Sequence, residues 1–433
     1  MRGLRPYQLE ALAFGKKAAE RGHRRILFPM ATGLGKTHVF VNLPLVFPDL
    51  AARGTLVLVH RDELVRQAVQ TFKQLHPHLS VGVEKGIQRS GPDIDVLVAS
   101  VQSLARRGSG PKRLKKYIAA GFGGLVIVDE AHHLKEGGSY DDVLTAFGLG
   151  SAQALRRHRR EQHGPATCDG ANSALRTEMY GTAPRVLAGF TATPYRGDGS
   201  SLRPFFDAIV PERGLRWGVA NGFLCDIVAY SVKTVTDLSL IPTRAGEFAS
   251  GPLAAAVDND ARNAAVARAL IDFSGNKDAI SRRPGLGRAL VFCASVSHAH
   301  ALAATLEAHG IAAGAIDAST PPEARRRLLA GFRDGALDAL CNVGVLTEGF
   351  DAPACDTVVM CRPVLSKALY MQMLGRGTRP IVNVNGAGLD IASRAALIAR
   401  SVKPHMKLID FVDNCGRHKV VDMADVVGLA RGF

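Results

Sequence analysis

Short apolar runs alternate with longer amphipathic stretches along most of the chain. The apolar runs, rich in valine, leucine and isoleucine, are typical of buried parallel strands; they lie at 25–28, 55–59, 95–99, 125–128, 186–190, 289–294, 338–343, 357–361 and 408–411. Amphipathic stretches with helical spacing lie at 61–75, near 297–309 and at 323–333. This alternation predicts an α/β fold of mostly parallel sheets flanked by helices, with ligands bound beyond the carboxyl ends of the strands.

The length of the chain, 433 residues, favours two domains of about 200 residues each. We expect a first domain over 1–225, a transitional segment over 226–280 and a second domain over 281–433. A basic, polar insert without a convincing strand pattern interrupts the first domain at 150–181.

The charge balance points to a polyanion. Lys and Arg total 54 against 39 Asp and Glu, which gives a formal net charge of +15. Such a surplus indicates a partner such as DNA or RNA, although a solvated basic surface fits the charge equally well.

The cysteines and the N-terminal residues indicate the cellular compartment of the protein. The seven cysteines are dispersed without a C-x-x-C pair, which indicates reduced thiols. No apolar run reaches the ~18 residues that a membrane span needs, and the first residues lack the pattern of a signal peptide. We therefore expect a cytoplasmic protein without a membrane partner.

The segment "ATGLGKT" (31–37) contains most of the phosphate-binding pattern G-x-x-x-x-G-K-[ST]. Gly35, Lys36 and Thr37 fill the last three fixed positions, whereas the first glycine position holds Met30. Glycines let backbone N–H groups turn towards an anion, the lysine can reach the β- and γ-phosphates, and the threonine hydroxyl can hold Mg²⁺. The segment predicts a phosphate-binding loop (P-loop), although its match to the pattern is incomplete.

Two adjacent carboxylates, Asp129 and Glu130, follow the strand at 125–128 and continue as Ala131 and His132. One acid can hold Mg²⁺, usually through water, since this ion keeps much of its octahedral shell. A second acid can orient and deprotonate an attacking water. We assign the first role to Asp129 and the second to Glu130.

The series of short segments that contains these two resembles the motif series of the superfamily-2 helicases, which couple ATP hydrolysis to movement on nucleic acid. In order they are the Q motif "RPYQLEAL" (5–12), motif I "ATGLGKT" (31–37), motif Ia "VHRDELVRQ" (59–67), motif Ib "VASVQSL" (98–104), motif II "DEAH" (129–132), motif III "FTATPYR" (190–196), motif IV "LVFCASVSHA" (290–299), motif V "NVGVLTEGFDAP" (342–353) and motif VI "QMLGRGTRP" (372–380).

Within that superfamily, three segments resemble the branch of RadD-like repair helicases and type III restriction motor subunits. They are "TATPYR", "LTEGFDAP" and "GRGTRP". Motif I of this branch commonly reads A-T-G-x-G-K-T without the first glycine. The resemblance therefore accounts for Met30 and implies that the loop binds ATP.

The resemblance implies two tandem RecA-like domains, with ATP and Mg²⁺ as cofactors. Gln8 suits the adenine edge, since an amide donates and accepts hydrogen bonds at once, and Arg5 or Tyr7 could cover the face of the base. A polar residue at a helix start is the alternative for Gln8. The implied nucleotide and metal residues are Arg5, Gln8, Thr32, Gly33, Gly35, Lys36, Thr37 and Asp129, with Gly349 and Asp351 near the ribose and the cleft between the lobes.

The second lobe is expected to supply cations to the reaction. Gln372 and Arg376 should face the γ-phosphate or the attacking water, and Arg379 should be the arginine finger. An arginine that meets the phosphate only on closure links hydrolysis to lobe motion. His132 should couple motif II to Gln372 or to the threonines of motif III, which are Thr191 and Thr193.

Nucleic-acid contacts are expected from small polar side chains at loop ends, which suit sequence-independent phosphate binding. Each of them could instead cap a helix. The candidates are His60 and Arg61 in motif Ia, Ser100, Gln102 and Ser103 in motif Ib, Ser295 in motif IV and Thr347 in motif V.

Taken together, these segments predict an ATP-dependent DNA helicase or translocase. A nucleotide-gated clamp or recruitment ATPase that never unwinds, and an RNA helicase, remain alternatives with the same motifs. No nuclease pattern stands out, so a nuclease or a repair or replication protein would act as a separate partner. The insert at 150–181 is either a mobile element over the nucleic-acid face or a solvated helix with a loop.

Overall fold

A computed structural model describes residues 3–106, 108–163, 184–195, 200–244, 246–273, 287–347, 350, 352–386, 388–416 and 418–427. The chain divides into two compact units. The first holds the described residues up to Gly214 except Ala31–Leu34, and the second holds that short segment and the described chain from Leu215 onward. Each unit contains one large parallel sheet.

The sheet of the first unit has seven strands in the order β3-β4-β2-β5-β6-β1-β7, all paired in parallel. Its strands are β1 (Arg25–Pro29), β2 (Thr55–Val59), β3 (Val81–Glu84), β4 (Val96–Ser100), β5 (Leu125–Val128), β6 (Val186–Thr191) and β7 (Ala208–Ile209). The central strands are buried along their whole length because helices cover both faces of such a sheet. Phe28 and Phe190 stack within this core, with ring centroids 4.7 Å apart.

The sheet of the second unit has six strands in the order β12-β13-β11-β14-β15-β8, again all parallel. Its strands are β8 (Asp226–Asp237), β11 (Arg288–Phe292), β12 (Ala313–Ile316), β13 (Ala339–Asn342), β14 (Cys355–Met360) and β15 (His405–Asn414). A small antiparallel pair, β9 (Thr243–Arg244) and β10 (Glu247–Phe248), lies outside it. The predicted α/β fold of two mostly parallel sheets flanked by helices is confirmed.

Helices connect most of the strands. In the first unit they are α1 (Pro6–Glu20), α2 (Lys36–Phe40), α3 (Leu43–Val46), α4 (Pro48–Ala51), α5 (Asp62–Leu75), α6 (Val101–Ala105), α7 (Ser109–Ala119), α8 (Ser139–Ala146) and α9 (Ala152–His163). In the second they are α10 (Leu215–Ala220), α11 (Ser250–Val257), α12 (Asp260–Phe273), α13 (Val296–Ala308), α14 (Pro322–Asp334), α15 (Lys367–Leu374), α16 (Ile391–Ala399) and α17 (Met423–Val427).

Several regions differ in detail from the sequence pattern. Strand β8 lies in the range expected to be transitional and is the edge strand of the second sheet. Its side chains alternate between half-buried and exposed, so it contains no continuous apolar run. In the predicted insert, α9 covers 152–163, and residues 164–181 lie outside the described residues. The domain boundaries at 225 and 280 stay a prediction.

Two further observations concern the described part of the chain. The cysteines at 225, 293, 341, 355, 361 and 415 are free thiols. None of the helices in the described ranges is long and apolar enough to cross a membrane.

Candidate functional site

The loop after β1 has the backbone geometry of an anion cradle. Gly33 and Gly35 both adopt left-handed conformations, with φ of 87° and 79°. Only glycine adopts such angles readily, because a side chain would clash with the backbone. A Cβ atom at Gly35 would also lie 2.6 Å from Nε2 of Gln8. Helix α2 begins at the next residue, Lys36.

The start of α1 is fastened to this loop. Gln8 is 3% exposed, and its Nε2 donates to the carbonyl of Gly35 over 3.4 Å. Its Oε1 accepts the backbone N–H of Arg5 at 2.9 Å. The guanidinium of Arg5 donates to the hydroxyl of Tyr7 at 2.8 Å. Gln8 thus positions the glycine loop and caps its own helix, while its proposed contact with adenine stays a prediction.

The two carboxylates after β5 come close to the loop lysine. Lys36 Nζ lies 3.7 Å from Oε1 of Glu130, and both side chains are largely buried. Asp129 is 5% exposed, and its Oδ1 accepts the backbone N–H of Glu130 at 3.0 Å. Two segments almost a hundred positions apart in sequence therefore place a cation and two acids in one buried site.

Glu130 has an unusual backbone. Its φ of 53° is the only positive value at a non-glycine residue in the described ranges. A left-handed conformation costs a non-glycine residue roughly 1–2 kcal/mol. Such strain persists where the surrounding structure imposes it, and it clusters at functional sites. The conformation turns the chain directly from β5 into the 3-10 helix Ala131–His133.

His132 connects this carboxylate to the strand that contains motif III. Its Nδ1 is 3.4 Å from Oε2 of Glu130 and 3.4 Å from Oγ1 of Thr191. The Thr191 hydroxyl donates to the carbonyl of Thr193 at 2.8 Å, and Thr193 donates to the carbonyl of Tyr195 at 3.0 Å. The hydrogen-bonded path runs from motif II into motif III within one unit.

Buried polar atoms near these residues make no hydrogen bond in the described structure. In the first unit, Oε2 of Glu130 has only its 3.4 Å contact with the His132 imidazole, which is an ion pair when that ring is protonated; Oγ1 of Thr32, in the short segment that belongs to the second unit, also makes no hydrogen bond. Buried polar atoms of this kind are uncommon and call for an explanation, such as a ligand or water. A lysine, two carboxylates and a glycine cradle are the groups that a magnesium-bound triphosphate needs, so the residues present fit Mg²⁺ and ATP.

In the second unit, the helix α15 contains Gln372, which is 3% exposed. This helix is fastened to β15 by a hydrogen bond of 2.7 Å from the Tyr370 hydroxyl to Oδ2 of Asp410. Burial raises the pKa of Asp410 to about 6, although the hydrogen bond from Tyr370 opposes that shift. The tyrosine therefore fixes the orientation of the helix that leads into motif VI.

The guanidinium of Arg376 is bound to the backbone of motif V. Its Nη2 and Nε donate to the carbonyl of Thr347 at 2.7 and 3.1 Å, and its Nη1 donates to the carbonyl of Phe350 at 2.8 Å. Motifs V and VI therefore form one hydrogen-bonded block inside the second unit. The predicted role of Arg376 at the γ-phosphate stays a prediction.

Two protein-family models match the chain. The model for the type III restriction enzyme, res subunit, matches residues 2–156, and that for the helicase conserved C-terminal domain matches residues 276–380. A Saccharomyces cerevisiae protein named ATP-dependent helicase IRC3 is 31% identical over 383 residues, which are 87% of this chain and 49% of that protein. The chain belongs to the superfamily-2 helicases. The type III restriction model over the first part of the chain supports the branch of RadD-like repair helicases and type III restriction motor subunits, so the resemblance drawn from the motifs is confirmed.

Solved structures agree with the fold. A fragment of an HsdR subunit of a type I restriction enzyme from Vibrio vulnificus YJ016 aligns with a TM-score of 0.58 at 21% identity, over 94% of this chain and 63% of that one. The type ISP restriction-modification enzyme LlaBIII, solved bound to DNA, aligns with a TM-score of 0.54 at 17% identity, over 95% and 31%. The chain spans about half the length of the curated relatives that it matches.

The motif Ia and Ib residues of this helicase chain hydrogen-bond to one another. Gln102 Nε2 donates to the carbonyl of His60 at 2.9 Å, and the Ser100 hydroxyl donates to Oε1 of Gln102 at 2.6 Å. Arg61 Nε is 3.1 Å from Nε2 of His60. Ser103 is 8% exposed and accepts the backbone N–H of Gly86 at 2.9 Å. The two motifs thus form one polar cluster, whose contact with nucleic acid stays a prediction.

The candidates in motifs IV and V have local partners. Ser295 is the N-cap of α13 and accepts the backbone N–H of His298 at 3.1 Å. Thr347 is 4% exposed and donates to the carbonyl of Gly344 at 3.3 Å. Helix capping, the alternative reading, therefore describes Ser295 in this structure. Gly349 and Asp351 lie outside the described residues.

One histidine near the site, His133, is not predicted by any of the motifs. The His133 ring lies with its centroid 4.2 Å from that of His60, in an edge-on arrangement, and 4.2 Å from that of His132. The three imidazoles join motif Ia to motif II. The doubled histidine in "DEAHH" is visible in the sequence, but its partner at position 60 is set by the parallel pairing of β2 with β5.

Proposed function

We propose that the chain couples the hydrolysis of Mg²⁺-bound ATP to movement on DNA or to its unwinding. The observation that carries the proposal is the buried site in which Lys36 lies 3.7 Å from Glu130 and His132 links this glutamate to Thr191. These contacts support the proposal that Glu130 is the hydrolytic base and that His132 links it to motif III.

Each residue of the first unit then has one chemical task. Lys36 and the backbone N–H groups around Gly35 would bind the phosphates, and the hydroxyl of Thr37 and the carboxylate of Asp129 would hold the metal. Bound Mg²⁺ would neutralise phosphate charge and hold the triphosphate in a reactive orientation. Glu130, fixed by its left-handed backbone, orients a water and accepts its proton. Gln8 and Arg5 select and cover the adenine.

The second unit is proposed to complete the reaction. Arg379 acts as the finger that stabilises charge on the γ-phosphoryl group, and Gln372 and Arg376 orient the phosphate or the water. Gly349 and Asp351 belong near the ribose. Because the two sets of residues come from separate units, closure around ATP and reopening after hydrolysis would move one unit relative to the other.

DNA is the proposed track. The net charge of +15 suits a polyanion, and the DNA-bound LlaBIII neighbour has the same fold. The polar cluster of motifs Ia and Ib would contact backbone phosphates, together with Ser295 and Thr347. We also propose a cytoplasmic location, domain boundaries at 225 and 280, and separate nuclease, repair or replication proteins as partners.

Two rival functions share the same motifs. A nucleotide-gated clamp would hydrolyse ATP on DNA without moving along it, and an RNA helicase would respond to RNA. The nucleotide site is common to all three, so the nucleic acid and the mechanical output must be tested separately.

ATP turnover in the presence of DNA and RNA of the same sequence and length tests which nucleic acid is the substrate. We expect single-stranded, duplex or forked DNA to raise kcat more than RNA of the same sequence and length. The titrations should be run at about 50 and 200 mM salt, since affinity resting on phosphate contacts falls steeply over this range. Lys36→Ala serves as the inactive control. Stimulation by RNA alone would identify an RNA helicase, and no stimulation by any polynucleotide would refute the proposal.

A further inference from the structure

Lys403, just before β15, has a fully buried amine. The residue is 1% exposed. Its Nζ donates to three backbone carbonyls, those of Pro353 at 2.8 Å, Cys355 at 2.6 Å and Arg379 at 2.8 Å. A lysine ammonium has three N–H donors and no acceptor, so all of its hydrogen-bonding capacity is used on these three carbonyls.

The burial of this amine has an energetic cost. Removing an ammonium from water is unfavourable, and burial accordingly lowers the pKa of Lys403. A buried charge is weak evidence for a contribution to stability, because apolar side chains of similar volume often serve as well or better. Three carbonyls aimed at one point, in contrast, require a donor with three N–H groups, which argues for a geometric role.

The three carbonyls belong to two functional motifs. Pro353 ends motif V and Cys355 begins β14, whereas Arg379 is the expected finger of motif VI. The adjacent carbonyl, that of Thr378, accepts the backbone N–H of Cys225 at 2.7 Å. The Cys225 thiol in turn donates to the carbonyl of Lys403 at 3.6 Å. The backbone at 378 and 379 is therefore held from two sides, and Lys403 belongs to both attachments.

We propose that Lys403 is a positioning residue for the arginine finger. Its amine fixes the backbone from which the Arg379 side chain extends, and it sets that backbone relative to the end of motif V. The inference rests on the proposed function, in which Arg379 stabilises the charge of the transferred phosphoryl group. Lys403 touches neither ATP nor water in this mechanism and acts through Arg379 alone.

The effect should appear in kcat rather than in KM. A finger meets its phosphate mainly in the transition state, so a misplaced finger lowers kcat and leaves ground-state binding nearly intact. Misplacement by about 1 Å can reduce a rate by roughly 10²-fold. We therefore expect Lys403→Met to lower DNA-stimulated kcat by about that factor, with the KM for ATP almost unchanged.

A double-mutant comparison separates this role from a merely structural one. DNA-stimulated kcat is measured for Lys403→Met, Arg379→Ala and the double variant in the full chain. If Lys403 acts through the finger, the double variant has the kcat of Arg379→Ala, since the finger is already lost. Multiplied losses in the double variant, or a wild-type kcat in folded Lys403→Met, would overturn the inference.

Arg262 provides a matched control. It is another buried cation of the same unit, 4% exposed, and its guanidinium hydrogen-bonds to Asp413, Thr234 and Thr236, none of which belongs to motif VI. Arg262→Met and Lys403→Met should both lower Tm, because the first leaves the buried Asp413 without its cationic partner and the second leaves three carbonyls without their donor. At a temperature below the Tm of both variants, only Lys403→Met should lower kcat. An equal loss of kcat in Arg262→Met would mean that Lys403 only stabilises the unit, and it would overturn the inference.

A second variant applies if Lys403→Met does not fold. Lys403→Gln keeps two amide N–H donors in place of three, and we expect its kcat to lie between those of the wild type and Arg379→Ala. A wild-type kcat in Lys403→Gln would count against the inference. If Arg379→Ala itself turns over ATP like the wild type, the finger of the proposed function fails and the inference falls with it. If Arg379→Ala loses activity but the Lys403 variants turn over ATP like the wild type, the inference about Lys403 fails and the proposed function stands.

Discussion

Replacement of Glu130 by glutamine is expected to lower DNA-stimulated kcat for ATP hydrolysis by about 10²–10⁴-fold, because a positioned general base contributes that much to a rate. Glutamine has the size of glutamate but cannot accept a proton from water at neutral pH. The 3.7 Å contact with Lys36 and the strained backbone of Glu130 show how firmly this carboxylate is held. ATP binding should survive, since Lys36 and the glycine loop are unchanged.

The measurement is steady-state ATP turnover together with equilibrium binding of a fluorescent ATP analogue. Glu20→Gln, which removes an exposed carboxylate at the end of α1, is the matched control and should match the wild type. Glu130→Gln that binds nucleotide and hydrolyses it at the wild-type rate would rule out this residue as the base.

Replacement of Arg379 by alanine is expected to have a larger effect than Glu130→Gln, a loss of about 10³–10⁵-fold in DNA-stimulated kcat, which is the range that an arginine finger contributes in related nucleotide triphosphatases. Its guanidinium is proposed to meet the γ-phosphate only after closure, so nucleotide affinity should change little. Arg379→Lys should restore only part of the rate, because an ammonium lacks the planar pair of donors that match phosphate oxygens.

Substitution of Arg379 is easier to interpret than substitution of Arg376. Arg376 donates to the carbonyls of Thr347 and Phe350, so Arg376→Ala would release motif V as well as remove a charge. Arg400, exposed at the end of α16, provides the control for loss of one cation from the second unit. Arg379→Ala that turns over ATP at the wild-type rate would exclude Arg379 as the finger.

The sequence predicted what depends on local pattern. Continuous apolar runs at 55–59 and 125–128 coincide with buried parallel strands, because a strand covered on both faces needs apolar residues throughout. Glycines at 33 and 35 adopt the positive φ that a phosphate cradle needs. Lys36 and Glu130 both follow parallel strands whose carboxyl ends meet at one edge, and the two side chains lie 3.7 Å apart there.

What could not be predicted depends on contacts between distant segments. The edge strand β8 is half-exposed along its length, so no apolar run marks it. The left-handed backbone of Glu130 is imposed by its surroundings, since a glutamate alone disfavours it. Lys403 is buried against carbonyls about 24 to 50 positions away, and backbone acceptors leave no trace in a side-chain pattern. A lysine whose surroundings are unknown is expected on the surface, because lysines are rarely buried.

The most direct test of the account is ATP-driven displacement of streptavidin from biotinylated DNA, with single-stranded, duplex and forked substrates compared. The account predicts displacement by the wild type in the presence of ATP and Mg²⁺, and none with a non-hydrolysable analogue or with Glu130→Gln. A wild-type protein whose ATP turnover rises with DNA, but which displaces nothing and unwinds nothing on any of these substrates, would contradict the motor and identify a nucleotide-gated clamp.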